Sequence, residues 1–327
     1  MASYPLVSFA LFTYNQEPYI EAAVRAAFAQ QYPNLEIVIS DDCSSDRTFA
    51  IIQRLAGEYR GPHQVRINRN PRNLGIGGHT SRMMLELVRG ELIVTAAGDD
   101  VSRPERTAVI HEAWERSGRR AYAILSGYQR MSAQGEFQEV RCFDREEFVG
   151  ESISGFLGRN RPMYAPGCAQ ACHRDVFARF GPIPEAPEIE DNSIMIRARM
   201  LGEVLLLKEV LVYWRRSGVV SFVGERNMMW EQDARFRRQV RRQVLADLRR
   251  APRERLRGRD RPWRISLIAR AGIMLASPHA FIVRLLGWLL LVPFCTIRES
   301  LFNLRLLHRR LSWVSLRAML GLPVVRG

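Results

Sequence analysis

Residues 92–100 have the sequence LIVTAAGDD, in which an apolar run is followed by two adjacent carboxylates, Asp99 and Asp100. A short run of this kind predicts a buried parallel strand, and open α/β sheets bind ligands at the carboxyl ends of such strands. Magnesium and manganese prefer oxygen ligands, and substrate phosphates commonly supply some of them. The pair therefore indicates a divalent-cation site and a substrate that carries a diphosphate. The alternative is that both acids only cap a helix that begins near Pro104.

Two strands further upstream also end in polar residues. They are predicted at residues 6–12 and 35–40, and helical patterns follow them at residues 18–30 and 47–55. This alternation predicts a parallel sheet with right-handed crossovers. The carboxyl ends of the three strands then meet at one edge of the sheet. The polar residues at these ends are Tyr14, Asn15, Asp41, Asp42, Asp99 and Asp100. Folding alone does not require such a convergence, which indicates a binding site.

Five sequence blocks resemble those of the family 2 glycosyltransferases and occur in the same order. The blocks are residues 7–17, 31–48, 73–75, 89–93 and 98–100. A weaker second half follows, which consists of Glu190, Asp191, Arg197, Gly202 and residues 211–215. The resemblance extends over residues 4–222. It implies an α/β GT-A fold, with a Rossmann-like, mostly parallel sheet flanked by helices. It also implies transfer of a sugar from a nucleotide diphosphate donor with inversion at the anomeric carbon.

The resemblance also implies roles for individual residues. Tyr14 would lie near the base of the donor and Asp42 would accept a hydrogen bond from the base edge. Asp100 would bind Mn²⁺ or Mg²⁺ with Asp99 beside it, because Ala97 occupies the first acidic position of the fuller family pattern. The implied nucleotide-sugar-binding residues are Thr13, Tyr14, Asn15, Glu17, Asp42, Asn73, Gly75, Arg82 and Asp99. Uridine is the commonest base in the family, so a UDP-sugar is the first expectation, with thymidine and guanosine donors as alternatives.

A transferase that uses a hydroxyl acceptor needs a general base, because the attacking oxygen must lose its proton. Asp191 is the predicted base and Glu190 is the alternative. Asp191 precedes a helical pattern at residues 192–201. The competing interpretation is a helix cap, since an acid in a first helical turn also complements the helix dipole.

Two further motifs have simpler interpretations than ligand binding. The glycine-rich residues 75–78 predict a flexible turn before a helix at residues 80–88, because a lone glycine cluster is weak evidence of a phosphate loop. Cys168 and Cys172 predict buried thiols, since no second ligand pair with zinc spacing occurs in the sequence.

The positive charge of the chain is concentrated in its last third. Residues 1–222 carry 26 basic and 27 acidic side chains and residues 223–327 carry 22 and 7, which gives −1 and +15 within the total of +14. Residues 223–260 predict a basic helical connector. Residues 261–327 combine tryptophans with apolar stretches that are shorter than the roughly 20 residues of a membrane-spanning helix. This composition is typical of amphipathic helices that lie on an anionic membrane.

These features predict a GT-A catalytic domain at residues 1–222 and a tail that holds it peripherally at the cytoplasmic face of the inner membrane. The expected reaction is sugar transfer from a nucleotide sugar to a hydroxyl of a lipid-linked glycan, in bacterial surface polysaccharide synthesis. One alternative is transfer to a polyprenyl phosphate, which requires no base, and another is a non-catalytic nucleotide-sugar-binding scaffold. The tail could instead form a packed subdomain or an oligomer interface. No nucleic-acid partner is expected, because no recognition motif accompanies the basic tail.

Overall fold

The chain forms two compact units. A computed structural model describes residues 4–149, 152–154, 157, 167–183, 191–215, 240–256, 260–275 and 289–290. The first unit comprises Met1–Gly150, Pro162–Met229 and Arg249–Arg255, and the second comprises Glu151–Arg161, Trp230–Leu248 and Leu256–Gly327. The predicted domain boundary after residue 222 lies outside the described residues and stays a prediction.

Ten strands of the described residues form one sheet in the first unit. They are β1 (Val7–Thr13), β2 (Leu35–Asp41), β3 (Gln64–Arg69), β4 (Leu92–Ala97), β5 (Val101–Ser102), β6 (Ala121–Met131), β7 (Phe137–Arg141), β8 (Glu147–Phe148), β9 (Gln170–His173) and β10 (Glu203–Arg215). The strand order is β3-β2-β1-β4-β9-β6-β10-β5, with β7 beside β6 and β8 beside β10. Strands β1, β2 and β4 are parallel, as predicted, and β3, which was not predicted, runs parallel to β2. The sheet is mixed beyond β4, because β9 runs antiparallel to both β4 and β6.

Helices connect the strands of the first unit. They are α1 (Ile20–Phe28), α2 (Thr48–Glu58), α3 (Gly75–Arg82), α4 (Arg106–Arg116), α5 (Asp175–Ala178) and α6 (Asp191–Leu201). A π-helical turn, Met83–Leu87, follows α3 directly, and 3₁₀ turns occur at Gly167–Ala169 and Arg253–Arg255. The prediction of a flexible turn at residues 75–78 is wrong, because α3 already begins at Gly75. Asp42 supplies the reason, since its carboxylate accepts backbone N–H groups at the start of this helix.

The core of the first unit lies between the sheet and its helices. Strand β2 is buried along its whole length, as expected for an interior strand of a parallel sheet. Its Ile37 and Ile39 belong to the same apolar cluster as Val24 of α1 and Ile52 of α2. The predicted burial of the cysteine thiols is also confirmed, since Cys168 and Cys172 are both buried.

The charged side chain of Glu36 lies fully buried on β2. Its carboxylate accepts hydrogen bonds from Ser8 Oγ on β1 and from the backbone N–H of Arg89. It also pairs with the guanidinium groups of Arg66 at 2.9 Å and Arg89 at 3.0 Å. Burial opposes ionisation of Glu36, but these donors outweigh it and lower the pKa of the carboxyl group. Glu36 therefore ties β1, β2 and β3 to the segment that enters β4.

In the second unit, residues 240–247 are helical and α7 spans Pro262–Leu275. Arg241 and Asp247 are buried, and the Arg241 guanidinium donates to the Leu157 carbonyl at 2.9 Å. This part of the predicted basic connector therefore contains charged side chains that are buried. Among the described residues, no helix is long and apolar enough to cross a membrane. Most of the predicted membrane-associated tail lies outside the described residues.

Candidate active site

The polar ends of the three predicted strands lie together at one edge of the sheet. The strand registers place Thr13 opposite Asp41 and Phe12 opposite Ala97. The loop that follows β4 contacts the end of β1, because the Gly98 N–H donates to the Phe12 carbonyl at 2.9 Å. The predicted convergence is therefore observed.

Thr13 and Asn15 fix the loop after β1 to the loop after β2. Asn15 has a positive φ of 50°, and its backbone N–H donates to Ser44 Oγ at 2.8 Å. Its side-chain Oδ1 accepts the Ser45 N–H at 2.9 Å. Thr13 Oγ1 donates to Asp41 Oδ1 at 3.3 Å. In this structure, Thr13 and Asn15 shape the loops around the site through contacts within the protein.

Glu17 and Tyr14 differ in how they are held. The Glu17 carboxylate accepts the backbone N–H of Arg47 at 2.8 Å and pairs with its guanidinium at 2.7 Å. The hydrogen bond from the Arg47 side chain lowers the pKa of Glu17 and keeps it charged. Glu17 thus helps to join the loops, whereas Tyr14 is 40% exposed and its ring is open to a ligand.

Asp42 orders the turn that starts α3. Its carboxylate is buried and accepts three hydrogen bonds, from Asn70 Nδ2 at 2.7 Å, the Leu74 N–H at 2.9 Å and the Gly75 N–H at 3.0 Å. The Gly75 N–H is shared with Asn73 Oδ1 at 2.7 Å. Gly75 has a φ of 70°, a conformation that glycine adopts without steric cost. The structure therefore brings Asp42, Asn73 and Gly75 together, as predicted.

A buried polar network behind Asp42 was not predicted. Asn68 Nδ2 donates to Asn70 Oδ1 at 3.0 Å and to Ser40 Oγ at 2.9 Å, and His79 Nε2 lies 2.8 Å from the same hydroxyl. Burial lowers the pKa of His79 and favours its neutral ring. The signal that could have revealed the network is the pair of asparagines at the end of β3, where two amides alternate with an arginine.

Arg82 lies on α3, three residues after His79. Its Nε is 3.6 Å from the Glu86 carboxylate, which is largely exposed. Exposed ion pairs of this kind contribute little to stability. The Arg82 guanidinium is therefore held only weakly by its own helix.

Asp100 is buried at the end of β4. Its Oδ1 accepts the backbone N–H of Arg215 at 2.7 Å, and the Cys168 thiol donates to the same carboxylate. Burial, together with the adjacent charge of Asp99, raises the pKa of Asp100 to about 8. Two negative carboxylates at this position are unfavourable without a counter-ion. A cation bound here would therefore be stabilised by both Asp99 and Asp100.

A fully buried arginine, Arg106, lies near Asp100. It donates to Ser102 Oγ at 2.8 Å and to the carbonyls of Thr95 at 2.8 Å and Gln170 at 3.1 Å. Burial lowers its pKa to about 10. Arg106 joins β4, β5 and β9, and its charge partly offsets that of Asp100.

The donor set at this edge fits a divalent cation that arrives with a diphosphate. Within the described ranges, no three His, Cys, Asp or Glu side chains form a cluster that could enclose a metal ion. Asp99 and Asp100 therefore provide two carboxylates at most. Magnesium is commonly bound by one or two carboxylates, with substrate phosphates and waters as the remaining ligands.

Asp191 is the first residue of α6, which packs against β6, β9 and β10. The helix is anchored by Arg197, which donates to the Gly181 carbonyl at 2.8 Å and lies over the rings of Phe177 and Phe180. Asp191 thus belongs to the half of the sheet beyond β4, whereas Asp42 belongs to the half formed by β1 to β3. Glu190 lies outside the described residues.

Residues 8–181 match the sequence model of the Glycosyl transferase family 2. The chain belongs to this family. The matched region begins within β1, ends after α5 and contains Asp42, Asp99 and Asp100. The resemblance that the sequence blocks showed is therefore confirmed.

Several curated proteins are similar to this chain over part of their lengths. The succinoglycan biosynthesis protein ExoO of Rhizobium meliloti is 32% identical over 145 residues, which cover 44% of this chain and 39% of ExoO. An uncharacterized glycosyltransferase of Nostoc sp. is 24% identical over 237 residues, which cover 70% of each chain. The poly(ribitol-phosphate) beta-N-acetylglucosaminyltransferase TarS of Staphylococcus aureus is 30% identical over 95 residues, or 28% of this chain and 16% of TarS.

Solved structures show the same fold at low sequence identity. TarS residues 1–349 in complex with UDP have a TM-score of 0.56 at 15% identity, with 98% of this chain and 94% of that chain covered. The mannosyltransferase PcManGT of Pyrobaculum calidifontis, in complex with GDP-Man and Mn²⁺, has a TM-score of 0.52 at 17% identity, with coverages of 97% and 84%. These similarities confirm the GT-A fold that the sequence blocks implied.

Proposed function

We propose that this chain is an inverting glycosyltransferase that moves a sugar from a nucleotide diphosphate donor to a hydroxyl group of a glycan. One observation carries the proposal, namely the convergence of Tyr14, Asp42, Asp99 and Asp100 at one sheet edge. An exposed aromatic ring suits the face of a base, and a buried carboxylate suits its N–H edge. The adjacent carboxylates suit a cation that is bound to a diphosphate.

The donor assignment is a UDP-sugar. It is supported by the complexes of TarS, which contain UDP or UDP-GlcNAc, although PcManGT contains GDP-Man. In the proposed complex, Asp42 accepts a hydrogen bond from the base, and Asn73 and Gly75 line the path of the ribose and diphosphate. Arg82, which is weakly held on α3, turns towards a phosphate.

Asp100, with Asp99 beside it, would hold Mn²⁺ or Mg²⁺ in this enzyme. When bound, such a cation acts as a Lewis acid that stabilises the charge on the departing nucleoside diphosphate. The protein contributes orientation, since the Arg215 N–H fixes Asp100 and the Asp42 carboxylate fixes the turn at Gly75.

Asp191 is the proposed general base, with Glu190 as the alternative. In this step the acceptor O–H gives its proton to the carboxylate while the oxygen attacks the anomeric carbon. The bond from that carbon to the diphosphate oxygen breaks on the opposite side, which inverts the configuration. The position of Asp191 on the sheet half away from Asp42 supports a role on the acceptor side.

The proposed acceptor is a lipid-linked glycan of bacterial surface polysaccharide synthesis. The names of ExoO and TarS, which refer to succinoglycan and poly(ribitol-phosphate), support this class of acceptor. The charge of +15 on residues 223–327 supports a peripheral position at the cytoplasmic face of the inner membrane, since anionic lipids attract basic segments. Oligomer formation through the same tail is the competing use of these residues.

Binding and transfer assays test the donor and metal assignments together. UDP, GDP and thymidine diphosphate sugars are added to the full chain with Mn²⁺, and the donor that is bound raises the melting temperature most. Asp100→Asn is expected to remove the effect of Mn²⁺ and to lower turnover by orders of magnitude. Full turnover of this variant, or of the wild type in excess chelator, would refute the metal assignment.

Vesicle binding tests the position of the tail. Full-length protein is expected to bind vesicles increasingly as their anionic lipid fraction rises, and high salt should release it only in part because apolar contacts remain. Indifference to such vesicles, together with a discrete soluble oligomer, would instead assign the tail to assembly.

A further inference from the structure

We infer that Arg215 is a positioning residue, which holds the Asp99–Asp100 turn and the turn between β6 and β7 in one fixed arrangement. The inference rests on the proposed function, because it takes Asp99 and Asp100 to be the residues that receive the cation and the diphosphate. Arg215 is the last residue of β10 and meets Asp100 although 115 residues separate them in sequence.

The main chain of Arg215 acts on Asp100 directly. Its N–H donates to Asp100 Oδ1 at 2.7 Å. Two residues earlier, Tyr213 of β10 pairs with Val101 of β5, which follows Asp100 in sequence. The donor and the acceptor are thus both attached to paired strands, so the carboxylate orientation is restricted by the sheet itself.

The side chain of Arg215 connects three further segments. Its Nε donates to the Asp99 carbonyl at 3.0 Å, and one terminal nitrogen donates to the carbonyls of Ser132 at 3.2 Å and Ala133 at 3.1 Å. Its guanidinium carbon lies 4.8 Å from the centre of the Tyr19 ring, within the range of cation–π attraction. The planar guanidinium group has five N–H donors and can therefore bind several carbonyl groups at once, whereas the compact ammonium group of lysine is not suited to this arrangement.

The β6–β7 turn is itself closely formed. The Ser132 N–H donates to the Glu136 carbonyl at 2.9 Å, and the Gly135 N–H donates to the Ser132 carbonyl at 3.1 Å. Arg215 therefore connects a rigid hairpin end to the carboxylate pair. Groups that orient a metal ligand without touching the metal commonly change metal affinity by about 10–100-fold when they are removed. Loss of the guanidinium should loosen both turns together and weaken cation binding.

The first test uses the ligand-free full chain and needs no nucleotide. Arg215→Gln keeps the backbone N–H that donates to Asp100 but removes the guanidinium group. Arg130→Gln is the matched control. Arg130 lies on β6, where it pairs with Glu139 and stacks on Trp214. Hydrogen exchange followed by mass spectrometry should be faster in Arg215→Gln at residues 98–102 and 131–137 together, and the control should leave residues 98–102 unchanged.

The second test measures UDP binding by calorimetry with and without Mn²⁺. Arg215→Gln should weaken UDP binding in Mn²⁺ by about 10-fold or more while metal-free binding changes little. Arg215→Lys, which keeps the positive charge, should recover part of the loss. A merely structural role would weaken binding equally in both conditions.

The two tests separate the inference from the proposed function. Unchanged exchange at residues 98–102 in Arg215→Gln overturns the inference, and so does faster exchange with unchanged UDP binding in Mn²⁺. If the wild type binds none of the nucleoside diphosphates with Mn²⁺, the proposed function fails. The exchange experiment then still decides whether Arg215 couples the two turns.

Discussion

Asp42 Oδ2 accepts the backbone N–H of Gly75 at 3.0 Å, across 33 residues of sequence. Asp42→Asn replaces one acceptor oxygen with an NH₂ donor, which faces either the Gly75 N–H or the donors of Asn70 and Leu74. We expect the free energy of unfolding to fall by roughly 2–4 kcal/mol, because buried donors lose their partner. Urea denaturation measures this loss, and Asp144→Asn on an exposed loop is the control that should change little. An Asp42→Asn variant as stable as the wild type would show that the carboxylate does not anchor α3.

Gly98→Ala tests the close approach of the loops after β1 and β4. A Cβ at residue 98 would overlap Gln16 Oε1 and lie 2.9 Å from Thr13 Cγ2 and 3.1 Å from Ile20 Cδ1. We expect a loss of about 1–3 kcal/mol in unfolding free energy, typical of overpacking. Gly57→Ala on α2 is the control, since no atom lies within 4 Å of its new Cβ. That helical substitution should stabilise the protein by about 0.5–1 kcal/mol, so equal effects of the two substitutions would contradict the packing argument.

Glu36 should make stability depend on pH in the acidic range. Its pKa is lowered in the folded protein, so its contribution is complete above the unfolded value of about 4.3 and is lost as pH falls through the folded value. At pH 7, Glu36→Gln should cost roughly 2–4 kcal/mol, because the donors of Ser8, Arg66 and Arg89 lose a buried charge. Urea denaturation of both proteins from pH 7 to pH 3 should show the difference shrinking only below about pH 4.3. A constant difference over that range would exclude this role of ionisation.

Asp191→Asn should separate chemistry from donor binding. We expect turnover to fall by roughly 10²–10⁴-fold, as for loss of a general base, while affinity for the donor with Mn²⁺ stays near that of the wild type. Asp175→Asn is a matched control, because Asp175 is likewise the first residue of a helix. If both variants lose only stability, Asp191 is a helix cap. If Asp191→Asn loses donor affinity, the residue belongs to the nucleotide side of the site.

The sequence predicted three of the four neighbouring strands β1 to β4, and it did not predict β3. Apolar runs that end in polar residues predicted β1, β2 and β4, and parallel pairing then placed Asp42 and Asp100 at one edge. Such pairing follows from local patterns and crossover handedness. The insertion of β9 between β4 and β6 could not be predicted, because a short buried strand carries no signal of its direction or partner.

The parts of the site that the sequence did not reveal depend on contacts between distant residues. The start of α3 at Gly75 depends on acceptors that Asp42 provides from another strand. His79 enters the network through Ser40, which is 39 residues away. The hydrogen bond that orients Asp100 comes from the backbone N–H of Arg215. Every residue except proline has such a donor, so the residue type does not reveal it.

The separation of 115 residues between Asp100 and Arg215 also sets an order of assembly during synthesis. Strands β1 to β4 leave the ribosome first and can pair with one another. The hydrogen bond between Arg215 and Asp100 cannot form until β10 has been synthesised. Contacts between distant segments form slowly because the intervening chain must be ordered first. A nascent chain that ends before residue 203 would hold Asp100 without its backbone donor. In refolding experiments, we therefore expect nucleotide binding with Mn²⁺ to return only in the last kinetic phase, after most of the secondary structure has formed.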